Sequence, residues 1–289
     1  MRHDAFSKCH PLTNFLFFLG AIGFGVVIQH PAYIIVSLVS ALSYYLLLKG
    51  FSGCKILLVF LPLYMFISLM NPLFNLYGAT ALFTVFGNPY TLEALYYGMA
   101  VAGIFVVMML WFLCCSEVLT SDKFVCLFGS LIPSLSMVLV MVLRMIPNLL
   151  KKAGQLSAAR KSIGRGVGEQ STKQEKLRDG MLILSGLTDW ALEGSIITAD
   201  SMRCRGYGAS ARTSFQRYRL TGKDAVLIAV MGTLAALVLL LGGFDAAYTP
   251  KFIVVNPGWG LAAYTVYLLI PTILYGKEAL QWHSSISKI

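Results

Sequence analysis

Charge is what this sequence has least of. Asp, Glu, Lys and Arg make up 12% of its 289 residues, where a soluble domain carries about a quarter. Hydrophobic residues make up 57%, and the mean hydropathy is +0.73. This balance excludes water as the main solvent and points to lipid. The marks of several enzyme classes are missing too. No Gly-x-x-x-x-Gly-Lys-Ser/Thr run exists to cradle phosphates on backbone N–H groups: Gly222-Lys223 is followed by Asp224, and position 217 is Arg. There is no His-Glu-x-x-His, no Gly-x-Ser-x-Gly elbow and no Asp-rich magnesium motif. The six cysteines (Cys9, Cys54, Cys114, Cys115, Cys126 and Cys204) form no Cys-x-x-Cys pair and have no histidine cluster beside them. They read as apolar packing rather than a metal site or a disulfide framework. No cofactor is expected.

What is present is a series of apolar runs. A spanning helix needs about 20 predominantly apolar residues. Six segments meet this, at roughly 14–29, 32–48, 56–76, 94–115, 224–243 and 258–276. The first follows a polar stretch with no small-residue cleavage site, so it reads as a retained span. Almost no ionisable residue falls inside the six, which argues against a proton or sodium relay. Small residues four apart, Ala21 with Gly25 and Gly98 with Ala102, favour close helix approach in lipid.

Lys and Arg are unevenly placed. Between Arg144 and Lys223 there are fifteen Lys/Arg against six Asp/Glu, so +9 of the total +10 sits there. Such a block between membrane segments reads as cytoplasmic retention, not as nucleic-acid binding. With six spans every Lys/Arg-rich loop falls on one side, which predicts both termini in the cytoplasm. The expected fold is therefore all-α and polytopic. Membrane helices are expected at 1–116 and 224–289, with a cytoplasmic coupling region at 117–223.

Within that region, the apolar segment 130–147 is bracketed by Pro133 and Pro147. Thirteen residues between prolines give about 20 Å of helix, short of a hydrocarbon core of about 30 Å. It reads as an interfacial helix that docks another membrane protein. Segment 182–202 is predicted to be an amphipathic helix. Asp189, Glu193 and Asp200 lie on one face, and Ile183, Leu187, Ala191 and Gly194 on the other. The Gly-rich, charged stretch 164–180 reads as a loop. Two basic stretches, Ala158 to Gly166 and Ser201 to Gly208, each set Arg-Gly behind a helix. Taken alone each is an ordinary C-cap, with Gly past the helix end and a cation on its dipole. Together they form a pair of rigid tips whose guanidinium forks suit a groove on a soluble partner.

The run LTSDKFVCLFGSLIPSLSMVLVMVLRMIPNLLKKAGQLSAARKSIGRG resembles the central region of T components of energy-coupling factor (ECF) transporters, the EcfT/CbiQ family. Arg144 and Pro147 match its Arg-x-x-Pro. Met202, Arg205, Gly206, Tyr207 and Gly208 match its Ala-Met-x-x-Arg-Gly-Tyr/Phe-Gly signature. Asn71-Pro72 is similar to a structural Asn-Pro step in its third span, and Arg212-Thr213 with Asp224 fit the run into the fifth. Gly164 stands where the family has Ala, Ser162 where Gln is common, and Ser201 and Cys204 in place of Ala.

The resemblance implies a non-catalytic subunit of a prokaryotic plasma-membrane importer for a vitamin or a transition-metal ion. Two ABC ATPase subunits would grip the tips at Arg165, Gly166, Arg205 and Gly206, with Arg160 sharing the first contact. A membrane-embedded substrate-binding S component would dock on Leu135, Val138, Leu139, Val142, Arg144 and Pro147. The permease of an ordinary ABC importer is the alternative, but Leu131-Ile132-Pro133 precedes the basic helix, the wrong order for its coupling loop. An enzyme of lipid-linked substrates lacks its acidic and nucleophile motifs here, and a pure scaffold is the remaining reading.

Overall fold

The computed structural model describes residues 6–75, 80–85, 88–120, 123, 124, 126, 127, 133–164, 172–209, 220–243, 246, 247, 253, 254 and 258–286. The described residues are mostly helical. In order come α1 (Pro11–Val27), α2 (Pro31–Lys49), α3 (Cys54–Phe74), α4 (Leu92–Val118), α5 (Pro133–Ser162), α6 (Lys173–Cys204), α7 (Gly222–Leu241) and α8 (Gly260–Ile286). Among the described residues, three helices are long and apolar enough to cross a membrane: Pro31–Lys49, Leu92–Val118 and Gly222–Leu241. Shorter apolar helices cover Pro11–Val27 and Leu58–Phe74. The chain divides into two compact units, one of Met1–Phe124 with Tyr218–Ile289 and one of Val125–Arg217.

Local signals explain where the helices of the first unit begin. α1 and α2 each open on a His-Pro step. The Nδ1 atoms of His10 and His30 accept from the amides of Leu12 and Ala32, both at 3.2 Å. Pro11 and Pro31 follow, with φ already set for the helix and no N–H to leave unpaired. α7 opens on a capping box: Thr221 and Asp224 satisfy each other's backbone donors, worth about 1 kcal/mol.

The core of this unit is aromatic. Phe6, Phe17, Tyr44, Trp111 and Tyr267 are among its fully enclosed rings. Phe6 meets Phe17 edge to face at 5.2 Å, and Phe17 stacks on Tyr267 at 5.4 Å. Several polar atoms carried into this core find a partner on another helix, whereas the buried Thr13 and Tyr45 hydroxyls find none among the described residues. Trp111 Nε1 donates to Ser37 Oγ (3.0 Å), Tyr267 Oη to the Phe17 carbonyl (3.1 Å), and Ser40 Oγ to the Leu268 carbonyl (3.0 Å). The outer faces expose large apolar groups such as Phe74 and Leu240, at 82% and 81%, as helices solvated by lipid do.

α3 and α4 cross at Gly98. A Cβ there would lie 2.7 Å from the Ser68 carbonyl oxygen and 2.9 Å from the Asn71 Cβ. Ser68 and Asn71 thus form the floor of this crossing, the adjoining Pro72 is buried, and Asn71 Oδ1 also accepts from Asn75 Nδ2 at 2.8 Å. The Gly25 position is looser, with Val107 Cγ1 at 3.5 Å from such a Cβ.

Two expectations are corrected. The helix at 130–147 does not end at Pro147. α5 runs through that proline to Ser162, about 45 Å at 1.5 Å per residue. An internal proline removes one hydrogen bond, and the helix-forming residues on both sides carry the helix across. The expected loop 164–180 is helical from Lys173, because Thr172 and Glu175 make a second capping box. Two short antiparallel hairpins also form, Ala81–Val85 with Asn88–Thr91 and Ala246–Ala247 with Ile253–Val254.

The Gly98 crossing yields a test. Gly98→Val drives a branched side chain into backbone and should cost about 1–3 kcal/mol, read as a lower melting temperature in detergent. Gly25→Ala, with room for its methyl, should melt within a few degrees of the parent.

Candidate functional site

The second unit is built on α5 and α6. Three contacts fix how they pair. Lys152 Nζ lies over the Trp190 ring at 5.8 Å. Leu156 Cδ1 would meet a Cβ on Gly186 at 3.6 Å. Arg160 Nε donates to Asp179 Oδ1. The residue numbers rise on one helix as they fall on the other, so the two run antiparallel. At the far end Tyr207 Oη donates to Met137 Sδ. The C-terminus of α5 therefore lies beside the start of α6, and the C-terminus of α6 lies beside the start of α5. From Met137 to Arg160 the helix covers about 35 Å.

The amphipathic expectation for α6 describes this pairing. Ile183, Leu187, Ala191 and Gly194 are the half-buried positions, whereas Asp189, Glu193 and Asp200 are exposed. Asp179 is only 7% exposed. Its partner Arg160 stands on the last turns of α5 (Pro133–Ser162). An ion pair this enclosed is costly to break from one side, because the remaining charge is left desolvated. Arg160 is thus committed to holding the two helices together. At the start of α6, Thr172 donates its amide to Glu175 Oε2 at 2.9 Å. The backbone and hydroxyl bonds from Thr172 hold the Glu175 carboxyl below its ordinary range.

The C-terminus of α6 is a Schellman stop. The Gly206 amide donates to the Arg203 carbonyl (2.9 Å) and the Tyr207 amide to the Met202 carbonyl (3.0 Å). Gly206 sits at φ 73° and Gly208 at φ 89°, a left-handed backbone that costs glycine nothing. Arg205 at this stop is exposed and makes no ion pair among the described residues. α5 ends in a related way, with Gly164 at φ 69° and its amide on the Lys161 carbonyl at 3.0 Å. Arg165 and Gly166 lie outside the described residues, as do Arg212 and Thr213.

Along α5, Val138, Leu139, Val140 and Val142 are exposed, and so are Arg144 and Pro147. The side chain of Leu135 lies outside the described ones. α6 adds Leu184, Leu192, Ile196 and Ile197. Apolar exposure on this scale marks an interaction face. Among the described residues no group of three or more His, Cys, Asp or Glu is placed to hold a metal ion. The sequence reading did not name Asp179, Trp190 or Lys152. The i to i+3 Thr172–Glu175 spacing was the one available sign that helix, and hence the Asp179 contact, begins that early.

The Arg160–Asp179 pair generates a prediction. Asp179→Ala strands a half-buried guanidinium and should loosen the hairpin by about 1–3 kcal/mol. Limited proteolysis should then cut between 160 and 180 several-fold faster than in the parent.

No protein-family model matches this chain, and no curated protein matches it.

Proposed function

We propose that this chain is the transmembrane coupling subunit of an ECF-type importer. In this reading six helices cross the membrane, both termini are cytoplasmic, and the α5–α6 pair is the coupling region. The carrying observation is the antiparallel pairing of two long helices, each closing at a cationic, glycine-stopped end. Ends about 35 Å apart are too far separated for one small groove. They suit two partners, one at each end, and two ABC ATPase subunits are the partners this reading assigns.

The division of labour follows from chemistry already described. The chain has no phosphate cradle, so nucleotide hydrolysis belongs to the partners. Arg205 is free to reach a carboxylate or carbonyl in a partner's groove, and the Schellman stop turns the backbone away just beyond it. Arg165 takes the corresponding role behind Gly164. The exposed apolar face from Val138 to Ile146 holds a membrane-embedded S component, which binds the cargo, a vitamin or a transition-metal ion. Closure of the ATPases moves the two helix ends, and the apolar face passes that movement to the S component.

Two experiments test this. Arg205→Ala should cost about 2 kcal/mol or more of ATPase docking and cut uptake at least tenfold while membrane insertion is unchanged. Normal uptake by the Arg165→Ala/Arg205→Ala double variant would remove the tips from the mechanism. Val140→Asp sets a charge in the apolar face and should strip the S component from the purified complex without loss of the ATPases. An unchanged subunit ratio by native mass spectrometry would reject that face.

A further inference from the structure

The stretch Phe6 to His10 carries an unusual density of links for its length. Phe6 is fully enclosed, edge to face with Phe17, Phe18 and Tyr44. Ser7 accepts twice from the ammonium of Lys123, at its carbonyl and, at 3.3 Å, at its hydroxyl. Lys8 pairs with Glu278 of α8. The His10 amide donates to Asp224 Oδ1 of α7 at 3.1 Å. Five separate parts of the first unit, α1, α2, the turn after α4, α7 and α8, are tied to five residues.

Two of those ties fall at meaningful places. The chain leaves the first unit after Phe124 and rejoins it at Tyr218. Lys123 is the residue before the departure, and Asp224 stands just past the return. Both are almost enclosed, at 6% and 7% exposure.

Lys123 is placed by a turn after α4, where its own amide and that of Phe124 donate to the Thr120 carbonyl (3.0 and 3.1 Å). The turn folds the ammonium back onto the Val118 carbonyl at 2.9 Å, one of the unpaired acceptors at the end of α4, where a cation also meets the negative end of the dipole. Asn14, with its amide oriented to satisfy both neighbours, donates to the Phe6 carbonyl (2.9 Å) and accepts from Lys123 (3.1 Å). Oxygens of Ser7, Val118 and Asn14 thus converge on the buried ammonium. Asp224 does the mirror task. Its Oδ2 accepts from the Thr221 amide at 3.0 Å while its Oδ1 holds His10.

We propose that residues 6–10 are a clasp that joins the two chain connections of the second unit, at Lys123 and at Asp224, into one rigid anchorage on the membrane helices. Without it the two connections would be separate loops, each free to yield under load. With it, displacement at either connection is transmitted to the other and to the aromatic core through Phe6. The force-bearing role rests on the coupling function proposed above; the clasp itself does not.

The test uses the full chain in mild detergent, with amide hydrogen exchange followed by mass spectrometry over 6–14, 116–124 and 220–228. Lys123→Met keeps the stem and removes the ammonium. Exchange should rise about tenfold at 116–124 and 6–14 and also at 220–228, beyond the segments that hold Ser7, Asn14 and Val118, to which the Lys123 ammonium bonds. Acceleration confined to 116–124 would overturn the clasp. If Lys123→Met fails to insert, Asp224→Ala asks the same question from the other side: exchange should rise at 6–14 and spread to 116–124, and a purely local rise overturns the proposal.

Uptake is measured in parallel with the partner subunits present. Lys123→Met should retain the partners but transport several-fold less per ATP hydrolysed. Full coupling despite spread exchange would overturn the force-bearing role. Absence of ATP-driven uptake by the parent complex would overturn the coupling function and leave the exchange result standing.

Discussion

Among the described residues, charge in the first unit is kept out of the apolar stretches of the helices, because a hydrocarbon solvent neither screens nor solvates it. Several of these groups also suit the helix dipoles, although Lys55 and Lys223, in the first turns of α3 and α7, do not. Glu93 and Asp224 stand in the first turns of α4 and α7, where the N-terminal amides face them. Lys49 and Lys123 stand at or just past the C-terminal ends of α2 and α4. Glu117, an acid in the last turn of α4, is a further exception, and Lys49 neutralises it at 2.6 Å. Once charge is expelled to the ends, the ends become the places where strong, directional contacts can form.

The interior uses a different set of links. Trp111 with Ser37, Tyr267 with Phe17 and Ser40 with Leu268 join helices through neutral hydrogen bonds, each worth about 0.6–2 kcal/mol in a membrane protein. Interlocked rings fill the space between them. The α5–α6 pair has no comparable core. Its described contacts are one enclosed ion pair, one cation over a ring and a thin line of half-buried apolar groups. The first unit is thus a well-filled helix bundle, and the second is made of two long, largely exposed helices. Apolar exposure on this scale is the mark of an interaction face.

The helices of the first unit were legible because their apolar runs are long and their ends carry His-Pro, Thr-x-x-Asp or Asn signals. The runs expected at 32–48 and 94–115 became Pro31–Lys49 and Leu92–Val118. The inner face of α6 was legible for a related reason, since period 3.6 survives in Ile183, Leu187, Ala191 and Gly194. Legibility failed where a strong local breaker was overruled by its neighbours. Pro147 invited a helix end, but a proline needs only a local adjustment and the flanking residues favour helix. The Gly-rich character of 164–180 hid the Thr172–Glu175 box. The Arg160–Asp179 pair could not be read at all, because it joins residues whose meeting depends on the two helices turning back on each other. The links of Phe6, Ser7 and His10 were invisible for the same reason, their partners lying more than a hundred positions away in the cases of Lys123 and Asp224.

The opposed ends of α5 and α6 have a mechanical corollary. Pushes delivered at the two extremities of a stiff antiparallel rod, in opposite directions across its axis, have no net resultant and form a couple. The rod turns about its midpoint instead of translating, and whatever rests on its flank near that midpoint is swivelled while barely shifting. In the coupling function proposed above, the hairpin would deliver orientation more than displacement.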